Sequence, residues 1–369
     1  MKLAILILYF AVLIGIGLYC RKHTTDVNGF VLGGRSVGPW LTAFAYGTSY
    51  FSAVVFVGYA GQFGWKYGIA ATWAGIGNAL IGSLLAWVVL GRRTRIMTQH
   101  LDSATMPQFF GERFNSRALK VAASVIIFIF LIPYTASLYN GLSRLFGMAF
   151  DIDYSVCIII MAVLTAIYVI AGGYMATAIN DFIQGIIMLV GIVAVIAAVL
   201  MSKGGFMASL NGLAQISDPE VSKAPGIFAS FFGPDPLGLL FVVILTSLGT
   251  WGLPQMVQKF YAIKDESSIK TGTIISTIFA MIVAGGSYFL GGFGRLFSDQ
   301  IDVEANGFDS IIPTMLSGLP SVLIALVVIL VLSASMSTLS SLVIASSSTL
   351  TIDFICLLYT SPSPRDKRQ

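Results

Sequence analysis

Ser333-Ala334-Ser335-Met336-Ser337-Thr338-Leu339-Ser340-Ser341 is a ladder of hydroxyls set inside the last apolar stretch of this chain. Just upstream, Val322-Leu323-Ile324-Ala325-Leu326-Val327-Val328-Ile329-Leu330 holds no polar side chain. Ser333, Ser337 and Ser340 or Ser341 recur at helical spacing and therefore share one face. Two readings fit such a face. Small serines let neighbouring helices approach and hydrogen-bond across the contact. Alternatively, hydroxyls and freed carbonyls replace the hydration shell of a cation without adding full charge. The ladder alone favours packing, and the rest of the chain turns the balance towards the cation.

The 369 residues are 56% hydrophobic and only 10% charged, with a mean hydropathy of +0.87. Long apolar runs recur from end to end, which marks an all-α polytopic membrane protein with the lipid bilayer as its solvent. The first run, 3–20, lacks a small-residue cleavage site and is followed by Arg21-Lys22, so it reads as a retained span and not a signal peptide. The net charge of +4 bears on membrane orientation and gives no reason to expect nucleic acid. Cys20, Cys157 and Cys356 are scattered without metal or disulfide spacing, and His23 and His100 sit by basic loops. No phosphate loop, nucleophile elbow or carboxylate pair is present, so an enzyme is not expected. Nor is an obligate protein partner evident.

Nine spans are expected, at about 3–20, 40–64, 69–90, 120–146, 154–173, 181–201, 237–257, 271–293 and 320–352. The loops after spans 1, 3 and 7 carry Arg21, Lys22, Arg35, Arg92, Arg93, Arg95, Arg113, Arg117, Lys120, Lys259, Lys264 and Lys270. The opposite side carries Lys2, Lys66, Arg144, Lys203, Lys223 and Arg295, with most of the acids. Twelve against six places the N-terminus outside and residue 352 in the cytoplasm. Residues 202–236 are then an external loop, with a short interfacial helix expected at 228–232. Span 2 is interrupted by Gly47-Thr48-Ser49-Tyr50-Phe51-Ser52, and span 7 by Ser247-Leu248-Gly249-Thr250-Trp251-Gly252-Leu253-Pro254. Each alone could be a kink. A matched pair separated by five spans suggests inverted repeats with irregular backbone lining a cavity.

Leu32-Gly33-Gly34-Arg35-Ser36 with Gly38-Pro39 precedes the broken span. Thr105-Met106-Pro107-Gln108-Phe109-Phe110, Gly172-Gly173-Tyr174, Asn180-Asp181-Phe182-Ile183-Gln184-Gly185 and Met336-Ser337-Thr338-Leu339-Ser340 follow in order. Each motif is weak; their order and spacing resemble the sodium:solute symporter family, with its sodium/proline, sodium/pantothenate, sodium/sialic acid and sodium/glucose carriers. The resemblance runs over 1–355. It implies a five-plus-five inverted-repeat transporter core preceded by one extra N-terminal helix. It also implies roughly two further core helices beyond span 9, so the second repeat is expected to be incomplete here. Residues 356–369 read as a disordered or artefactual tail after a transmembrane domain at 1–355. Na⁺ is the implied coupling ion and a small organic solute the implied cargo, in the plasma membrane of a prokaryote. A membrane sensor whose signalling part is missing is the alternative.

Residue by residue, the family's main Na⁺ site falls on the carbonyls of Thr48 and Phe51, the carbonyl of Ala334 and the hydroxyls of Ser337 and Thr338. A second Na⁺ site of some relatives would fall on Asp181, Ser337, Ser340 and Ser341. Asp181 reads equally as a helix N-cap near the interface. Solute contacts are expected from Tyr50, Ser52, Tyr134, Ser137, Thr246, Thr250, Trp251 and Gln255. Where proline carriers have an acid in the span 2 break, this chain has Tyr50. Tyr50-Phe51-Ser52-Ala53, Asn180-Asp181 and Gly252-Leu253-Pro254 look more like pantothenate-type members. An acid-free cavity suits a neutral or anionic solute.

Overall fold

A computed structural model describes residues 2–356 apart from 25, 151, 152 and 223. The tail expected at 356–369 therefore lies almost wholly outside the described residues. In hydrocarbon a backbone must bond to itself, and helices do so within one segment. Accordingly the described residues build helices joined by turns and by one long connection between Gln215 and Pro236, and the only β features among them are two isolated bridges.

Span 1 is Lys2–Cys20. Span 2 runs as Pro39–Tyr50, breaks, and resumes over 54–67. Gly68, at φ +64°, turns the chain into span 3, which continues over 72–100, ten residues past its expected end at 90. Arg92, Arg93 and Arg95 thus belong to a helix end and not to a loop. Span 4 is Arg117–Phe150, with Pro133 inside it. Spans 5 and 6 form one helical run, Tyr154–Ser202, divided at Gly173, where φ is +53° and a side chain would clash with Phe30. Span 7 is Pro236–Gly252 followed by Pro254–Ala262, bent by 53° at Leu253. Span 8 is Ser267–Gly291, and span 9 is Ser321–Ser348 continued by Thr349–Ile355. Both breaks expected from the sequence are present.

Small residues set the helix spacing. A Cβ on Gly64 would stand 2.0 Å from the Gly291 carbonyl oxygen, and one on Gly291 would stand 1.9 Å from that of Ala60. Spans 2 and 8 can approach this closely only with glycine on both sides. Span 1 lies along spans 5 and 6: the Gln184 amide donates to Tyr9 at 2.9 Å, and Gly17 leaves no room for a side chain beside Tyr168.

Span 9 departs from the one-faced reading of its ladder. Every residue from 330 to 342 is buried. The cause is that spans 2, 4, 5, 6 and 7 surround it. Leu339 and Leu342 pack on Leu131 and Leu138 of span 4. The Tyr168 hydroxyl donates to the Met336 carbonyl at 3.2 Å, and Leu330 fills the gap beside Gly191.

The short helix expected at 228–232 is reduced to a single turn, Ile227–Ala229. Phe228 is buried because the Arg295 guanidinium stacks 3.9 Å over its ring while pairing with Asp218 at 2.9 Å. Phe231 and Phe232 stay exposed. On the other side, Asp265 caps span 8, accepting from the Ser267 hydroxyl and the Ser268 amide at 2.7 Å each. The Ser267 hydroxyl, ahead of the Ser268 bonds, draws its carboxyl down to about 2.

Candidate functional site: an oxygen nest and an uncharged cavity

The span 2 helix ends at Tyr50, and Phe51 is extended at φ −88°, ψ 113°. The carbonyls of the last helical turn therefore lose the amides that a continued helix would bring them. They face the middle of span 9. Ser337 Oγ lies 3.2 Å from the Thr48 carbonyl oxygen and 3.1 Å from that of Ala334. Thr338 Oγ1 lies 3.4 Å from Thr48 O, 3.5 Å from Ser49 O and 3.1 Å from Ala334 O. Two hydroxyls carry two protons and cannot satisfy all these acceptors at once. The result is an electron-rich nest of neutral oxygens, all buried, whose donor set fits a bare alkali cation. Thr48, Ala334, Ser337 and Thr338 are brought together as expected, and Phe51 stands buried at the break beside them. The Ser49 carbonyl was not expected there. Its signal lay in the sequence, since the break frees neighbouring carbonyls together.

Asp181 is not a helix cap. It lies inside the Tyr154–Ser202 run and is fully buried. Its partner is Lys259, a residue the charge pattern had assigned to a cytoplasmic loop. Lys259 is 1% exposed, with Nζ 3.7 Å from Asp181 Oδ2, 3.0 Å from Ser341 Oγ and 5.0 Å from the centre of the Tyr174 ring. The bend at Leu253 causes this, because it turns Pro254–Ala262 inward so that every residue of it after Pro254 is buried. Ser341 Oγ also lies 2.9 Å from Ser49 Oγ. Ser340 Oγ, by contrast, donates to the Ser337 carbonyl at 2.9 Å.

A cavity of about 740 Å³ opens between the two breaks, span 4 and span 8. Tyr50, Ser52, Tyr134, Ser137, Thr246 and Thr250 line it. Trp251 and Gln255, expected there too, do not. Trp251 turns away and donates to the Ile81 carbonyl at 3.0 Å, and Gln255 is buried on the far side of the bend. Regular helical periodicity places neither one, because Trp251 sits in the tight turn Gly249–Gly252 and Gln255 follows the 53° bend. Tyr59, Phe63, Phe130 and Tyr288 complete an aromatic wall that the sequence pattern does not announce. Tyr288 Oη is buried without a hydrogen-bond partner, and Asn78 is its polar neighbour. The Tyr50 hydroxyl reaches the Thr246 carbonyl at 3.4 Å and joins the two breaks. No charged side chain lines the cavity among the described residues.

A nest of neutral oxygens shared by two helices, beside a cavity of solute size, is the arrangement expected of a cation-coupled secondary transporter. The chain belongs to the sodium:solute symporter family, whose model matches residues 30–369. It is 30% identical over 355 residues to sodium/proline symporters of Staphylococcus aureus strains JH9, NCTC 8325 and COL. That match covers 95% of this chain and 67% of each of theirs. In fold it resembles the substrate-bound outward-open state of a Na⁺-coupled sialic acid symporter, with a TM-score of 0.79 and 19% identity. This covers 99% of this chain and 76% of that one. The protein is thus a multi-pass membrane symporter with Na⁺ as its coupling ion.

Proposed function

We propose that the protein imports a small, neutral or anionic organic solute, pantothenate-like more than proline-like, across a prokaryotic plasma membrane. In this reading residues 1–355 are one transmembrane domain with the N-terminus outside. Spans 2 to 6 are one repeat, and spans 7 to 9 are part of the second. Na⁺ enters the nest of Thr48, Phe51, Ala334, Ser337 and Thr338 and holds spans 2 and 9 together. That contact favours the outward-facing state, solute fills the cavity at the breaks, and rocking exposes both to the cytoplasm. Each Na⁺ moved through about 100 mV supplies about 2.3 kcal/mol. Charge supports the orientation even with Lys259 withdrawn from the cytoplasmic set.

The observation that carries the solute reading is the uncharged, aromatic lining of the cavity. An amino acid brings an ammonium group that no carboxylate in this lining would balance. A carboxylate or polyol can bond to Tyr288, Ser52 and backbone amides freed at the breaks. Proline is the second reading, favoured by 30% identity to sodium/proline symporters along 95% of the chain. Uptake of radiolabelled pantothenate and proline into proteoliposomes under an inward Na⁺ gradient separates the two. Pantothenate accumulation without proline accumulation is expected. Na⁺-driven uptake of proline alone would overturn the argument from Tyr50 and the uncharged lining.

A further inference from the structure

We propose that the ammonium of Lys259 is a built-in cation that occupies a second cation position beside Asp181, so that one Na⁺ and not two accompanies each solute. The inference rests on the Na⁺-coupled reading above and adds a determinant of its stoichiometry.

The observations are geometric. Asp181 is the anion of a fully buried pocket on span 6, and both of its oxygens lack a conventional hydrogen bond. Lys259 Nζ stands 3.7 Å from that carboxylate and 3.0 Å from Ser341 Oγ. The Tyr174 ring face lies 5.0 Å away. Carboxylate, hydroxyl and π-face together make a set that recognises a monovalent cation. A bare carboxylate is not sustained in so buried a pocket, so Asp181 must either take a proton or pair with a cation. The lysine supplies that cation covalently.

The position is also wired to the oxygen nest. Ser341 Oγ lies 2.9 Å from Ser49 Oγ, and the Ser49 carbonyl lies 3.5 Å from Thr338 Oγ1. The bend of span 7 brings Lys259 into this line. Because its charge is tethered, it cannot be released to the cytoplasm with the cargo. A sodium ion in the same place could be.

Equilibrium binding of ²²Na⁺ to the purified protein tests this, with wild type, Lys259→Ala and Lys259→Ala/Asp181→Asn compared. Lys259→Ala vacates the position while leaving Asp181 and Ser341, so it is expected to bind one more Na⁺ per protein than wild type. The double variant is expected to return to the wild-type number. The difference between variants reads Lys259, and the wild-type number itself reads the Thr48–Thr338 nest, so the two ideas fail separately. Equal binding by wild type and Lys259→Ala would overturn the proposal. Na⁺-to-solute flux ratios in wild-type proteoliposomes give a second test that needs no variant to fold. A ratio of one Na⁺ per solute supports the built-in cation, and a ratio of two overturns it.

Discussion

Ser337 Oγ reaches the Thr48 carbonyl oxygen at 3.2 Å and so closes span 9 onto the broken end of span 2. Neither half of this contact is complete alone. The carbonyl is free only because the helix stops at Tyr50, and the hydroxyl is at depth only because span 9 is surrounded by five other spans. In the proposed function an ion held there would couple the two helices, as a gradient-driven rocking motion requires.

Tyr288→Phe removes a buried, unpartnered hydroxyl from the cavity wall without changing the ring. Solute KM is expected to rise severalfold, the loss of a hydrogen bond of about 1 kcal/mol. The Na⁺ concentration for half-maximal uptake should stay where it is. Equal solute KM in both proteins would remove Tyr288 from the solute site.

Trp251→Phe gives the opposite pattern. Its indole N–H is bonded to the Ile81 carbonyl at 3.0 Å and does not face the cavity. The loss is expected in thermal stability, about 0.5–1.5 kcal/mol, with solute KM unchanged. A KM change with full stability would return Trp251 to the cavity.

Gly64→Ala tests the packing of spans 2 and 8. The new methyl would meet the Gly291 carbonyl oxygen at 2.0 Å, and backbone must shift to admit it. Overpacking of this kind costs about 1–3 kcal/mol, seen as a lower unfolding temperature of the purified protein. Gly249→Ala, with open space around it and a φ of −56°, is the control expected to be neutral. Equal unfolding temperatures for the Gly64 variant and wild type would mean that the helices can part without cost.

Much of this was legible in the chain itself. Hydropathy and glycine marked the apolar helices, and Gly47 to Ser52 and Ser247 to Pro254 marked the breaks. The hydroxyl ladder pointed to Ser337 and Thr338. What escaped was whatever depends on direction after a break. The turn Gly249–Gly252 holds Trp251 off the cavity, and the 53° bend after it carries Gln255 away and turns Lys259 into the core. In one dimension a lysine after an apolar run reads as a cytoplasmic anchor. Its buried role needs Asp181, 78 residues earlier by subtraction of their numbers, to be seen beside it. The aromatic wall was hidden for a similar reason. Tyr59 and Tyr288 look like ordinary packing residues until spans 2 and 8 are placed around one space.

The measurement that bears most directly on the account is the Na⁺ dependence of solute uptake by Ser337→Ala and Thr338→Ala in proteoliposomes. Each variant deletes one hydroxyl from the nest and leaves the solute cavity intact. The Na⁺ concentration for half-maximal uptake is expected to rise about tenfold in each, the equivalent of about 1.4 kcal/mol of lost ion binding. Half-maximal uptake at the wild-type Na⁺ concentration in both variants would contradict the assignment and leave the hydroxyl ladder as a helix-packing device.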